Sequence, residues 1–186
     1  MPVHFSETEL DGVLIVECGV FRDERGFFSE TYNQDIWHAA GFTRPFVQDN
    51  LSLSVKGTLR GLHYQILPHG MGKLVRAVTG AVFDVAVDLR RGSPTFGRWI
   101  GQTLSAENGL ALWVPEGFAH GFVALEDDTY VYYKCTGTHA PEAERALRYN
   151  DPDVGVDWPT APTVISDKDA AAPLLGEVET NFTYPG

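Results

Sequence analysis

The sequence predicts a mainly β protein, a sandwich or barrel of short strands. Three observations carry that expectation. Apolar and polar residues alternate with period two through most of the middle of the chain. Glycine and proline together number 30, 19 plus 11, which sets frequent turns between short strands. Hydrophobic residues at 44% and charged residues at 21% are those of an ordinary globular chain with a sizeable core.

The elements follow in chain order. "NQDIWHAAG" is punctuated as a helix, with Asn33 as N-cap and Gly41 as the terminating glycine. "KGTLRGLHYQ", Lys56 to Gln65, reads as a strand. "AVFDVAVDL" sets Phe83, Val85, Val87 and Leu89 on one face and Val82, Asp84, Ala86 and Asp88 on the other. "WIGQTL" (99–104), "LALWVP" (110–115), "HGFVAL" (120–125) and "TYVYYKCT" (129–136) are further short runs. The turns "RRGSPTFG", "AENG", "PEG" and "EDD" bound them. The tail after Asn150 is rich in Pro, Ala and Asp. It predicts loops wrapping the barrel and a short helix near Asp169–Leu175. With no internal repeat and no linker, a single domain over 1–186 is expected.

Composition narrows the function classes. A net charge of −11 disfavours nucleic acid and anionic membranes as partners, so any anion site needs a local basic cluster. Cys18 and Cys135 form no CxxC pattern and read as isolated thiols. No basic segment followed by an apolar run opens the chain, and no run reaches the length of a membrane span. A cytoplasmic protein is expected.

The strand at 56–65 poses a question. It places Arg60 and His63 among Leu59, Leu62 and Tyr64. Residues three apart on an ideal strand face opposite ways. Either Gly61 marks a bulge that re-aims one of them, or Arg60 reaches a ligand by another route.

Spacing gives a first answer. Gly109, Pro115, Gly117 and His120 fall on the second motif of the cupin superfamily. Gly57, His63 and Gly80 fall on the first, but Gln65 stands at its second histidine and Lys73 at its glutamate. The resemblance implies a small jelly-roll barrel with an interior site. An amide and an ammonium cannot replace an imidazole and a carboxylate around a divalent ion, so no metal and no cofactor are expected.

At closer range the chain resembles the dTDP-4-dehydrorhamnose 3,5-epimerase family. The stretches that carry this are "FRDERGFFSETYN" (21–33), "VQDNLSLSVKGTLRGLHYQ" (47–65), "GKLVRAVTGAVFDVAVDLRRGSPTFG" (72–97), "LWVPEGFAHGF" (112–122), "YYKCT" (132–136) and "ISDKDAAAPL" (165–174). The resemblance implies a metal-free isomerase acting on a dTDP-4-keto-6-deoxyhexose, as a homodimer. It implies His63 as general base, Asp169 as the carboxylate that orients it, Lys73 as stabiliser of the enolate oxygen and Tyr133 as acid. Tyr133 shares strand parity with Val131 and Cys135, as an inward position requires. The resemblance also implies Arg25 and Arg60 as diphosphate ligands, and Phe27, Glu30, Gln48 and Asn50 as substrate and nucleotide contacts. The motif match at His120 implies a residue that contacts the sugar or holds a water. Asp84 reads either as a partner of His63 or as a carboxylate satisfied by backbone.

The chain departs from the family's pattern at Thr138 and His139, where relatives often carry a tyrosine pair associated with the nucleobase. Single-carbon epimerases share the same base, electrophile and acid. A nucleotide-sugar ketoisomerase, a metal-dependent cupin and a non-catalytic binding cupin are the other readings. The last leaves the joint presence of His63, Lys73, Tyr133 and Asp169 unexplained.

Overall fold

The structure is a computed structural model and describes residues 2–185. In chain order its elements are β1 (Val3–Glu7), β2 (Leu14–Cys18), β3 (Val20–Asp23), β4 (Gly26–Ser29), α1 (Gln34–Ala39), β5 (Gln48–Ser54), β6 (Thr58–Gln65), β7 (Lys73–Thr79), β8 (Ala81–Asp88), β9 (Trp99–Ser105), β10 (Leu110–Val114), β11 (Phe118–Ala124), β12 (Thr129–Cys135), β13 (Glu144–Ala146), β14 (Val164–Ile165) and α2 (Asp167–Ala170). One antiparallel sheet runs β1-β2-β10-β7-β12-β5. The second runs β13-β6-β11-β8-β9, with β14 parallel to β6. The mainly β architecture expected from the alternation, and the jelly roll that the resemblance implies, are what is observed.

The alternation has a physical destination. Val75, Ala77, Leu112, Val114 and Val131 of the first sheet meet Val82, Ala86, Leu104, Phe118 and Phe122 of the second in one buried cluster. At about 25 cal/mol per Å² of apolar surface, this burial is what holds the sheets face to face. On β8 both faces are buried. The outward set, Val85, Val87 and Leu89, packs under Leu147, Val154, Val178 and Phe182. The C-terminal tail is thus the expected wrap, tied down where Thr180 Oγ1 donates to Leu89 O at 2.8 Å.

Helix α1 forms as its punctuation predicts. The Asn33 side chain accepts from Asp35 N at 3.1 Å, and Gly41 leaves the helix at φ 95°. Its Trp37 is fully buried against Phe5, Phe42, Phe46 and Trp113. The short C-terminal helix is displaced from the expected 169–175. Helix α2 begins at Asp167 because Ser166 caps it, accepting from Asp169 N at 3.1 Å. Pro173 has no N–H with which to prolong a helix, and only a 3-10 turn, Leu175–Glu177, follows.

The β6–β11 ladder settles the puzzle of Arg60 and His63. His120 pairs with His63 and Phe122 pairs with Arg60, so two steps on β11 span three on β6. The extra residue is a β-bulge at Gly61, with φ 131°. A Cβ there would sit 2.5 Å from Gly121 Cα, so two glycines are needed where the strands cross. The bulge turns Arg60 and His63 to the same side.

Candidate active site

Beside the apolar cluster, polar and charged side chains gather within the sandwich. Two chambers open there, of about 510 Å³ and about 340 Å³. His63, Lys73 and Tyr133 line both and form the waist between them. Arg60, His120, Ser52, Ser166, Lys168 and Asp169 are the other polar walls of the larger chamber besides Thr58, and Leu59 and Phe122 are among its apolar ones. Gln48, Asn50, Gln65, Cys135, His139 and Glu144 are among the walls of the smaller one.

His63 projects from β6, and its Nε2 lies 2.6 Å from Asp169 Oδ1. The other Asp169 oxygen accepts from Gly61 N at 3.3 Å. Parallel pairing of β14 with β6 delivers Ser166 and α2 to this place. Burial pushes the Asp169 carboxyl up. The hydrogen bond and charge of His63, with the Gly61 N–H and Ser166, more than offset this and hold it below its ordinary value. A carboxylate fixed in this way holds the imidazole in one orientation.

Tyr133 stands on β12, in the opposite sheet from His63. Its inward parity is as expected, between the buried Val131 and Cys135. Burial raises its phenol pKa, and so do Cys135 and Glu144, against an opposing pull from Arg60. The proton therefore stays on the oxygen at neutral pH, as an acid requires. Lys73, beside it on β7, donates to His63 O at 3.4 Å. Burial pushes its ammonium pKa down, while Cys135, Asp84 and Glu144 pull it up.

His120 is buried and its Nε2 lies 2.8 Å from Asp84 Oδ1. Asp84 is therefore the partner of His120, not of His63. Burial pushes the His120 pKa down against the attraction of Asp84, and Lys73 and His63 push the same way as burial.

Gln65, at the place of a cupin metal ligand, spends its amide on backbone. Nε2 donates to His69 O at 2.7 Å and Thr138 O at 3.2 Å, and Oε1 accepts from Ala140 N at 2.8 Å. Among the described residues no group of three or more His, Cys, Asp or Glu is placed to hold a metal ion.

The model of the dTDP-4-dehydrorhamnose 3,5-epimerase family matches residues 7–177. The chain belongs to that family. It is 56% identical to the dTDP-4-dehydrorhamnose 3,5-epimerase of Pseudomonas aeruginosa over 170 residues, 90% of this chain and 93% of the relative. It is similar in fold to the crystal structure of a dTDP-6-deoxy-D-glucose-3,5-epimerase from Legionella pneumophila in complex with dTDP-4-keto-L-rhamnose. There the TM-score is 0.92 at 47% identity, covering 96% of this chain and 95% of that one. A 3'-monoepimerase from Streptomyces bikiniensis in complex with dTDP-quinovose is also similar, at TM-score 0.86 and 36% identity over 91% and 86% of the two chains.

Against this epimerase family the placement of the expected residues divides in two. His63, Asp169, Lys73, Tyr133, Arg60, Gln48, Asn50 and His120 all reach the chambers. Arg25, Phe27 and Glu30 line neither chamber. Arg25 is at the tip of the β3–β4 hairpin, bonded to Asp23. Phe27 is 64% exposed, and Glu30 accepts from Asn33. Sequence reasoning missed Ser52, Ser166, Lys168 and Glu144. Ser52 had a readable signal, since it shares the period-two face of Gln48 and Asn50. Lys168 is bonded to Glu144 at 2.6 Å, a contact between segments far apart in sequence.

Proposed function

We propose that this epimerase-family chain is metal-independent and inverts C3 and C5, the carbons flanking the C4 ketone, of a dTDP-4-keto-6-deoxyhexose. The product feeds the synthesis of rhamnose or another deoxysugar. The observation that carries the reading is the placement of His63 and Tyr133 on opposite sheets of one cavity. Inversion needs a base on one face of a carbon and an acid on the other.

The chemistry follows from the walls. His63 takes the proton from a carbon next to the ketone. The electron pair of that C–H bond moves towards the carbonyl and gives an enolate. The Lys73 ammonium faces the enolate oxygen, a placement typically worth 10²–10³ in rate per donor. Tyr133 delivers its phenolic proton to the opposite face. Exchange with solvent restores both groups, and the second carbon reacts in the same way. Arg60, with Lys168 beside it, meets the diphosphate at the mouth of the larger chamber. Gln48, Asn50 and His139 bound the smaller chamber, which accepts the nucleoside end.

The protein acts as a cytoplasmic homodimer in this reading. No helix among the described residues is long and apolar enough to cross a membrane. The edge strand β5 turns Leu51 and Leu53 outward, 62% and 48% exposed, and Phe21 and Phe28 of the β3–β4 hairpin are exposed as well. An apolar surface of this kind supports burial against a second copy. That copy's hairpin is then the source of the Arg25 and Phe27 contacts. The test is incubation with the dTDP-4-keto-6-deoxyglucose in D₂O, followed by NMR. Deuterium at both C3 and C5 with inversion is expected. Exchange at neither carbon overturns the reading.

A further inference from the structure

Asp84 presents a problem that stability does not solve. It sits on the interior strand β8, between β11 and β9, with no exposed surface. One oxygen accepts from His120, while Oδ2 is buried without a hydrogen-bond partner among the described residues. A buried carboxylate left half-satisfied is costly, and an apolar residue would serve the core better. The groups around it are those of the site. His120 of β11 touches it, and His120 pairs in register with His63 of β6.

We propose that Asp84 is a positioning residue of the epimerisation, fixing the tautomer of His120 and keeping the Lys73 ammonium charged where the enolate oxygen forms. The inference rests on the reading of Lys73 given above. With Nε2–H donated to Asp84, His120 keeps an unprotonated Nδ1 on the side of the ring away from Asp84. An acceptor, not a second cation, then stands in the larger chamber that Lys73 also lines.

Lys73 needs such support. The titratable and charged groups around it come from several elements: Arg60 and His63 of β6, Asp84 of β8, His120 of β11, Tyr133 and Cys135 of β12, Glu144 of β13, Lys168 and Asp169 of α2, and His139 of the loop after β12. Burial drives its pKa down, and of the facing groups only Asp84, Cys135 and Glu144 oppose this. The thiol's own pKa is raised by burial, so it carries little negative charge at neutral pH. Glu144 is already bonded to Lys168. Asp84 is the acidic group that remains, fully buried behind His120 and bonded to no basic side chain but that imidazole.

The test uses the full chain with Asp84→Asn, which keeps a carbonyl acceptor for His120 but removes the charge. The alkaline limb of kcat is expected to move to lower pH by about one unit or more. KM should change by less than about threefold, since the diphosphate contacts are untouched. A loss of kcat by the same factor at every pH, or an unmoved limb, overturns the proposal. A second measurement needs neither the variant nor turnover. In the unmodified protein, ¹⁵N NMR of histidine and lysine side chains at neutral pH is expected to show His120 protonated on Nε2 alone and Lys73 as ammonium. A proton on His120 Nδ1, or a neutral Lys73, overturns it whatever reaction the protein catalyses.

Discussion

Arg60 and His63 face the same side of their strand although they stand three positions apart, because the bulge at Gly61 absorbs one. Gly61→Ala tests how tightly that geometry is held. The new Cβ would meet Gly121 Cα at 2.5 Å and His120 O at 2.9 Å, at a φ that L-residues rarely adopt. Positive φ and overpacking together are expected to cost about 3 kcal/mol. Urea unfolding should show the drop. Turnover should fall further than the folded fraction does, because the base and the Asp169 N–H contact move together. A variant with parental stability and rate contradicts the account of the bulge.

The roles of the two residues separate by assay. His63→Asn should lose more than about 10³-fold in kcat while binding dTDP within a few-fold of the parent. Arg60→Ala should do the reverse, weakening dTDP binding by one to two orders of magnitude through lost charge-assisted bonds. Calorimetry with dTDP and a coupled epimerisation assay distinguish them. The opposite pattern shows that the strand has been misassigned.

Much of this site was legible because period-two parity and motif spacing are local. The family resemblance singled out Tyr133, parity was consistent with its inward position, and parity would have put Ser52 beside Asn50. The cupin spacing selected His63 and His120. What parity could not show was the partner of a buried charge. Asp84 and His120 meet across neighbouring strands, and Lys168 meets Glu144 from the C-terminal wrap. Such pairings depend on register and on where a tail lies, neither of which leaves a short-range pattern. The helix expected near Asp169–Leu175 starts earlier because Ser166 caps it, accepting from Asp169 N.

Metal removal gives a third prediction. Gln65 commits its amide to three backbone groups, and Lys73 brings a positive charge to the other ligand position. Dialysis against a chelator should therefore leave turnover unchanged within error. Elemental analysis of active protein should find well under one transition-metal ion per chain. Stoichiometric metal whose removal abolishes turnover sinks the mechanism.

Asp169 makes stability depend on pH in a stated direction. Its folded pKa lies below its ordinary value, which in the unfolded chain is about 3.9. A depressed carboxyl contributes stability that is full above the unfolded pKa. That contribution is lost as pH falls through the folded one. Asp169→Asn should thus cost about 1.5–3 kcal/mol near pH 7, with the difference from the parent narrowing below about pH 4. Denaturant titrations at the two pH values check this. A gap that widens in acid reverses the sign and refutes the assignment.

The last prediction uncouples the acid from the base. Tyr133→Phe keeps the ring that packs against the core cluster but deletes the phenolic proton. His63, Asp169 and Lys73 are untouched, so the enolate still forms. On the opposite sheet no phenol remains to protonate it, and the proton returns from His63 to the face it left. In D₂O the variant is expected to wash deuterium into recovered, uninverted substrate, with epimer reduced by about 10² or more. His63→Asn should show neither exchange nor inversion. NMR at both carbons flanking the ketone reads the two outcomes separately. Inversion by Tyr133→Phe at the parental rate removes Tyr133 from the role of acid and, with it, the argument from opposite walls.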